Sequence, residues 1–208
     1  MAAWSVTAWG FSSPASAERY VYRIEHASYG AVGTWINIVE TNGNVTTITT
    51  EAHIRVAVLG VALFTQEIAR TERRDASRLR YFHSVTTTDG QPSTVDGKAD
   101  GAQFVITSPK GTVSAPGSIR PADPWSAGLP GIDTVFMPDT GKVLKVHATR
   151  GDTVSLILGG TPKKVQHHRI DTADGSEHYD IWVGADHVPE MFRVEDSEGT
   201  VTFTRLPG

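Results

Sequence analysis

Cysteine is absent from this chain of 208 residues. Its absence excludes disulfide frameworks, thiolate zinc sites and cysteine nucleophiles. Strong charge is also missing, because 19 basic and 23 acidic residues give a net charge of −4. Such a balance indicates neither a disordered chain nor a basic surface that attracts nucleic acid. No stretch approaches the ~20 apolar residues that cross a bilayer as a helix. We therefore expect no transmembrane segment in the mature chain and no nucleic-acid partner.

The N-terminus has some of the features of an export signal. Residues 1–17 have an apolar middle and end in Ala15-Ser16-Ala17, which fits the small-residue pattern of a signal-peptidase site. However, no Lys or Arg precedes Arg19, whereas a secretory signal normally begins with a basic region. Residues 1–17 are therefore interpreted as a signal peptide or an N-terminal arm. The first interpretation predicts a periplasmic or secreted protein.

Helical periodicity is scarce as well. Residues 57–72 can be read as a short amphipathic helix, but Gly60 and the threonine-rich run before it favour a strand. From Tyr20 onward, apolar and polar residues alternate, and turn residues follow about every ten positions. The predicted hairpin turns are Asn42-Gly43, Asp89-Gly90, Asp100-Gly101, Lys110-Gly111, Thr140-Gly141, Arg150-Gly151-Asp152, Gly159-Gly160, Asp174-Gly175 and Glu198-Gly199.

This pattern predicts an all-β fold, an antiparallel meander of ten or more strands in one domain over residues 18–208. An open, strongly twisted sheet of that size leaves its edges exposed, so we expect it to roll into a barrel or half-barrel. The concave face would be apolar and would offer a cavity. Residues 114–139 contain five prolines and little alternation. They predict a long loop that crosses between two halves of the sheet, and loops of that length are often functional.

Several short motifs occur in a distinctive order along the chain. They are Tyr20-x-Tyr22-x-Ile24 with Gly30 and Gly33, Arg78-Leu79-Arg80-Tyr81, Pro124-Trp125 and Ile181-Trp182. In this order they resemble a bacterial family of exported all-β proteins that is catalogued as a domain of unknown function. That family is similar to the curved, open β-sheets of periplasmic lipoprotein carriers. The resemblance covers most of residues 20–206 and implies export and a curved all-β fold. It implies no activity and carries over no catalytic residues.

Residues 163–183 hold three histidines and three aspartates. If they form a hairpin around Asp174-Gly175, the period of two places His178 and Asp180 on one face. His168 or His167 from the partner strand would then lie opposite them. The opposite face, directed at the core, would carry Tyr179, Ile181 and Val183. The group His178, Asp180 and His168 is thus a candidate for acid/base catalysis or for a borderline metal ion. A solvated strand face explains the same residues, and we predict no metal site and no cofactor.

Five arginines lie within 11 residues, namely Arg70, Arg73, Arg74, Arg78 and Arg80. Guanidinium groups at one hairpin end can clamp a carboxylate, phosphate or sulfate, and here could meet an acidic head group. The alternative is a solvated turn with local ion pairs. Arg74, Arg78 and Arg80 are the candidate ligand-binding arginines. Trp125 joins them because an indole in the proline-rich crossover could cap a cavity, or else pin the loop to the core.

These observations favour a binding protein that holds a small apolar, amphiphilic or lipid-like ligand in a curved β-sheet. The alternative is an enzyme that uses His/Asp acid/base chemistry on a sugar or cyclic substrate in the same cavity. A structural partner in the cell envelope is a third hypothesis. The ligand, the oligomeric state and whether the chain is an enzyme stay open at this level.

Overall fold

The computed structural model describes residues 16–124, 131–197 and 199–207. Within these ranges the chain forms fifteen strands. They are β1 Ser16–His26, β2 Gly30–Asn42, β3 Val45–Val58, β4 Val61–Asp75, β5 Arg78–Thr88, β6 Gln91–Asp100, β7 Gln103–Ser108, β8 Gly111–Pro116, β9 Arg120–Pro121, β10 Thr134–Phe136, β11 Val143–Leu158, β12 Thr161–Thr172, β13 His178–Val183, β14 Pro189–Asp196 and β15 Gly199–Arg205.

All fifteen strands belong to one sheet with the order β8-β7-β6-β5-β4-β3-β2-β1-β15-β14-β13-β12-β11-β10-β9. Every neighbouring pair is antiparallel except β9 and β10, which run parallel. The predicted all-β meander is therefore confirmed. Residues 57–58 and 61–72 are strand, as predicted, and belong to the hairpin of β3 and β4, with Leu59 and Gly60 as its turn. Within the described ranges, the chain has no helix that is long and apolar enough to cross a lipid bilayer.

The two edges of the sheet, β8 and β9, follow each other along the chain with only residues 117–119 between them. The four Cα steps from Pro116 to Arg120 reach ~14 Å at most. A flat sheet of fifteen strands spaced ~4.8 Å apart would be on the order of 67 Å wide. The sheet must therefore roll up until its edges approach each other. The strand order places no ladder between β8 and β9, so the predicted roll is barrel-like but remains open.

An aromatic cluster packs strands near one edge of the sheet against a strand near the other edge. Phe136 of β10 packs edge-on against Phe82 of β5, with ring centroids 4.8 Å apart, and stacks on Phe104 of β7 at 6.0 Å. Gly97 of β6 makes this packing possible, because a Cβ there would lie 2.4 Å from the Phe104 ring. Since β10 also pairs with β11, Phe136 connects strands from opposite ends of the sheet order.

The described parts of the crossover, residues 114–124 and 131–139, connect the two edges of the sheet. They are not all loop, because they include the end of β8 and the short strands β9 and β10. Backbone groups anchor them: the Gly117 N–H donates to the Ala102 carbonyl at 2.9 Å, and Ser93 Oγ donates to the Asp139 carbonyl at 2.7 Å. Trp125 lies outside the described residues.

A second apolar cluster fills the concave side beneath β1, β2, β14 and β15. The rings of Phe192 and Phe203 stack with centroids 4.0 Å apart, and Trp35 meets Phe203 edge-on at 5.8 Å. Tyr22 is fully buried and donates its hydroxyl to the Pro189 carbonyl at 2.7 Å. The core therefore lies on the inner face of the roll, and the outer face is largely solvated.

Several turn predictions need correction. The predicted turns Asp100-Gly101, Lys110-Gly111 and Glu198-Gly199 are each shifted by one residue, because Asp100, Gly111 and Gly199 are strand residues that pair across the hairpin. Asn42 pairs with Val45, so the loop residues are Gly43 and Asn44 rather than Asn42 and Gly43, and only Gly43 takes a positive φ (59°). Arg150-Gly151-Asp152 is not a turn, because β11 continues through it with a bulge between Arg150 and Thr153. A bulge and a turn both favour small, conformationally free residues, so local sequence does not distinguish them.

Replacing Phe136 with alanine should lower the free energy of unfolding by ~3–5 kcal/mol, the usual cost of emptying a buried aromatic site. Urea denaturation measures the loss. Val113→Ala on the exposed surface of β8 serves as the control and should change stability by no more than ~0.5 kcal/mol. A loss below ~1 kcal/mol for Phe136→Ala would show that the roll is held by other contacts.

Candidate ligand cavity

The concave side of the roll contains two adjoining cavities. The first, here called the rim cavity, measures about 480 Å³ and lies at the end of the roll where β1, β3 and β14 finish. Its apolar lining includes Val32, Ile54, Val56, Phe64, Val201 and Phe203. Alternation along β2, β3 and β15 directs these side chains inward while their neighbours face solvent. The rim cavity is thus a direct product of the strand pattern.

The second cavity, here called the inner cavity, measures about 450 Å³ and lies deeper in the roll. Aromatic and aliphatic groups form most of its wall, including Trp35, Met137, Tyr179, Ile181 and Phe192. The residues that border both cavities are Phe64, Gln66, Val194, Asp196 and Phe203. The two spaces therefore share a wall and follow one another along the roll. Part of the inner cavity is bounded by the crossover, through residues 122–124 and 137.

A third depression of about 470 Å³ lies on the outer face over β5, β6 and β7. Tyr81, Lys98 and Val105 line it, on the side of the sheet opposite to the aromatic cluster of Phe136. It is a solvated groove between outward side chains. The concave cavities offer far more apolar surface, so they are the better candidates for a ligand site.

The polar lining of the inner cavity is acidic. Its carboxylates are Asp123, Asp139, Glu177 and Asp196. Arg193 borders the same space, but its guanidinium lies over the Trp182 ring, 5.3 Å from the centroid. In register, Arg193 pairs with Asp180 and Thr202 on the outer face. The side chains that face this cavity therefore create a negative potential.

Tyr179 lies against this acidic lining and donates its hydroxyl to the Glu177 carboxylate. Burial raises the pKa of the Tyr179 phenol well above its ordinary value, and the hydrogen bond to Glu177 adds to the effect. The phenol therefore stays neutral at any physiological pH. Tyr179 acts here as a hydrogen-bond donor that orients Glu177.

A buried ion cluster adjoins the inner cavity. Arg74 Nη2 pairs with Glu72 Oε2 at 2.8 Å, and Arg70 Nη1 lies 3.5 Å from Asp123 Oδ2. The Arg70 guanidinium also packs over the Trp35 ring, 5.4 Å from its centroid. Burial, the nearby charge of Glu72 and a hydrogen bond with Glu72 raise the pKa of Asp123 to about 7. Near neutral pH the Asp123 carboxyl is therefore partly protonated.

The candidate ligand-binding arginines do not converge on the cavities. Arg74 belongs to the buried ion cluster and is paired with Glu72. Arg78 donates to the Gly101 carbonyl, and Arg80 forms an exposed pair with Asp75 at 2.9 Å. None of these three arginines is among the residues that line the rim or inner cavity in the described part of the chain.

The sequence reasoning missed the buried acids Glu72 and Asp123. Glu72 had a recognisable signal, since Arg70, Glu72 and Arg74 alternate and therefore share the inner face of β4. Asp123 had no such signal in the sequence, because it lies in the crossover and approaches β4 only when the sheet rolls up.

The predicted hairpin around Asp174-Gly175 forms, and its inner face is as expected, because Tyr179, Ile181 and Val183 pack against the core. His178 and Asp180 lie on the outer face. His178 Nδ1 is 2.6 Å from Asp171 Oδ1, whereas Asp180 Oδ1 is 2.7 Å from His167 Nε2.

His168 pairs in register with Ile181 and so shares the inner face, away from both of these pairs. The structure therefore does not bring His178, Asp180 and His168 together. It forms two separate His–Asp pairs on the side of the sheet away from the cavities. This geometry gives no support to acid/base chemistry by the three residues in the cavity.

The two outer pairs are partly exposed side-chain hydrogen bonds. The hydrogen bond from His178 holds the pKa of Asp171 below its ordinary value, with help from Arg169. His167 stacks on Trp182, with ring centroids 5.1 Å apart. In the described ranges, no group of three or more His, Asp or Glu residues is arranged to hold a metal ion.

Comparison with known families agrees with this architecture. The model of the family "Domain of unknown function (DUF6134)" matches residues 22–205. The chain belongs to this family. No curated protein matches the DUF6134 chain.

Among solved structures, the DUF6134 chain is similar to a beta-barrel-like protein of domain of unknown function DUF1849 from Brucella abortus. The TM-score is 0.67 at 14% identity, and the match covers 90% of this chain and 94% of the other. A DUF1089 family protein from Pseudomonas aeruginosa matches with a TM-score of 0.39 at 12% identity, over 89% and 95% of the two chains. At such identities the first likeness shows the fold alone, and it supports the barrel-like roll.

The pKa of Asp123 predicts a pH-dependent stability. Because it rises from 3.8 to about 7 on folding, the folded chain holds a proton between these values that the unfolded chain has released. The free energy of unfolding should therefore fall as the pH rises from about 4 to about 7, by up to ~1.4 kcal/mol per unit. Asp123→Asn should remove this component, as measured by urea denaturation across that range.

Asp100→Asn, at an exposed strand end, is the control and should keep the wild-type pH profile. Parallel profiles for the wild type and Asp123→Asn would contradict the raised pKa.

Proposed function

We propose that this DUF6134 chain is an exported binding protein that holds a small apolar or amphiphilic ligand in the two concave cavities of its rolled sheet. The observation that carries this proposal is the pair of adjoining cavities with aromatic and aliphatic walls. Ligand sites in proteins are concave and mostly apolar, with a few polar groups that fix orientation. The rim and inner cavities match that description, with the carboxylates of the inner cavity as the polar groups.

The size of the cavities favours an elongated ligand. Volumes of about 480 and 450 Å³ both fall in the ~300–1,000 Å³ range of small-molecule sites. Phe64, Val194 and Phe203 line both cavities, so the two spaces adjoin, and a chain-like molecule that fills both would lie across these three side chains. Each buried methylene contributes ~0.8 kcal/mol, so eight methylenes supply ~6 kcal/mol before the cost of association.

The charge of the inner cavity favours a cationic or neutral head group over an acidic one. Apart from Asp123, which belongs to the buried ion cluster, three carboxylates line the cavity, namely Asp139, Glu177 and Asp196. The one bordering guanidinium is directed to the outer face. An anionic head would meet like charge at short range, which destabilises the complex. The arginines that could have received an acidic head, Arg74, Arg78 and Arg80, are engaged elsewhere. Charge thus supports an amine-bearing or uncharged amphiphile.

Export is the part of this proposal that rests on sequence features alone. Residues 1–15 lie outside the described residues, and β1 begins at Ser16. Cleavage before Glu18 would leave β1 paired with β2 from Glu18 and Val39 onward. N-terminal sequencing of the protein recovered from the periplasm of an expressing cell tests this, and an uncleaved cytoplasmic chain would argue against it.

Filling the rim cavity should weaken ligand binding strongly. Val201 faces this cavity from β15, so Val201→Trp places an indole in the space that a ligand would occupy. Fluorescence titration with the neutral apolar probe N-phenyl-1-naphthylamine should show saturable binding to the wild type and at least ten-fold weaker binding to Val201→Trp.

Thr202→Trp is the matched control, because Thr202 precedes the inward Phe203 and faces the outer side of the same strand. It should retain wild-type affinity within about two-fold, because a surface substitution away from the site leaves the fold unchanged. Equal binding by all three proteins would place the probe outside the cavity and defeat the proposal.

Head-group charge should order the affinities of otherwise identical ligands. Decyltrimethylammonium should bind more tightly than decanoate, by about ten-fold at low salt, because the cavity carboxylates attract one head and repel the other. Isothermal titration calorimetry measures both, and added salt should narrow the difference. Tighter binding of decanoate would refute the proposal that the inner cavity prefers a cationic or neutral head group.

A further inference from the structure

The β3–β4 hairpin extends beyond the rest of the sheet. β2 accompanies β3 only as far as Ile54, and β5 accompanies β4 only from Gln66 onward. Within the described chain, the ladder partners of residues 55–65 therefore all lie in the β3–β4 hairpin itself, which forms a two-stranded ribbon here. At ~3.4 Å per residue, the four residues beyond Ile54 carry the ribbon about 14 Å past the sheet.

The end of this ribbon is apolar on all sides. Residues 56–64 read VAVLGVALF, without one polar side chain, and residues 57–63 are all exposed. Leu59 is 100% exposed, Val61 64% and Leu63 57%. Contiguous exposed apolar surface on a soluble domain marks an interaction site. We call Val58, Leu59, Val61 and Leu63 the ribbon tip.

The turn itself runs against local conformational preference. Leu59 and Gly60 both take positive φ, 52° and 83°. A left-handed conformation is uncommon for a leucine, and glycine, asparagine or aspartate would fit the position better. The other two-residue turns of this kind in the described chain use Asp89-Gly90 and Gly159-Gly160. A fully exposed leucine at this position adds nothing to folding, which indicates that an external contact uses it.

The ribbon is anchored beside the opening of the rim cavity. Asp89 Oδ1 accepts a hydrogen bond from the Thr65 N–H at 2.8 Å, and the Asp89 N–H donates to the Thr65 carbonyl at 2.9 Å. Leu63 and Phe64 line the rim cavity, together with Tyr29 from the neighbouring turn. A surface that contacts the ribbon tip therefore lies beside the opening of the rim cavity.

The shape and area of the tip favour a lipid surface over a protein partner. The tip is convex and apolar all round, so a flat partner would cover only one side of it. Four side chains of this size present well under the ~800 Å² per partner of a stable protein interface. A bilayer surface surrounds such a tip, and an apolar element inserts ~5–10 Å into the boundary between head groups and acyl chains. In the described part of the chain, the outward backbone groups of the ribbon have no ladder partner, and this limits it to that shallow depth.

Charge at the base of the ribbon identifies the kind of surface. Arg55 and Glu67 are the first charged residues on either side of the apolar run, and Asp89 holds the base. This near-balanced set gives no attraction to anionic lipid. Insertion therefore depends on apolar contact, and a zwitterionic surface suffices.

We propose that the ribbon tip docks the protein shallowly onto a zwitterionic lipid bilayer, with the opening of the rim cavity beside the docked surface. The idea that an amphiphile passes between the docked membrane and the rim cavity rests on the proposed function. The docking of the ribbon tip does not.

Vesicle binding tests the proposal. The full chain should co-sediment with phosphatidylcholine vesicles, and Leu59→Asn should bind at least about ten-fold more weakly, the factor expected for losing one buried leucine. Asparagine tolerates positive φ, so this variant keeps the turn. Adding phosphatidylglycerol to the vesicles should not strengthen binding.

Ile157→Asn is the matched control. Ile157 is 77% exposed near the tip of the β11–β12 hairpin, which the antiparallel order places at the opposite end of the roll. It should bind vesicles like the wild type. The proposal is overturned if the wild type does not bind phosphatidylcholine, if Ile157→Asn loses binding equally, if binding requires anionic lipid, or if Leu59→Asn instead abolishes a dimer seen by sedimentation velocity.

Two cross-measurements separate this inference from the proposed function. Leu59→Asn should still bind N-phenyl-1-naphthylamine, and Val201→Trp should still bind vesicles. Vesicle binding without any probe binding would leave the docking surface standing and remove the cavity function. Probe binding without vesicle binding would leave the cavity function standing and remove the docking surface.

Discussion

Residues 117–119 impose the constraint on which the rest of the molecule depends, because they join the two edges of a fifteen-stranded sheet within ~14 Å. A sheet so connected cannot lie flat. Once it rolls, β10 comes to rest against β5 and β7, and Phe136 fills the space between them. The two sides of the roll meet through these side chains, and the strand order places no backbone ladder between β8 and β9. The cavities are the part of the concave side that these side chains leave unfilled.

The same roll decides the charge of the interior. Arg70, Glu72 and Arg74 face inward from β4, and the crossover brings Asp123 against them, so the buried positive charge is largely balanced within the cluster. What faces the inner cavity is the acidic remainder, together with aromatic rings. A count of arginines in the sequence suggests a site for anions. Their placement in the roll keeps Arg74, Arg78 and Arg80 out of the lining of the rim and inner cavities, and for this reason we propose a cationic or neutral head group.

The strands and the direction of their side chains could be predicted from the sequence, because both follow from an alternation of period two. Tyr179 and Ile181 face the core for that reason, and the β-branched run before Gly60 forms a strand. Partner choice could not be predicted. His178 takes Asp171 rather than Asp180 because of the register between β12 and β13, and Asp123 reaches Glu72 only through the roll. Register and closure depend on contacts between distant segments, which a local pattern does not contain.

The most direct test of the ligand cavity is a methyl NMR titration of the isotope-labelled chain with decyltrimethylammonium. Ile54 and Val201 report the rim cavity, Ile181 reports the inner cavity, and Val105 reports the outer groove. Saturable shifts at Ile54, Val201 and Ile181, with Val105 unchanged, are the result that this account predicts. Shifts confined to Val105, or none at any of the four methyl groups, would contradict it.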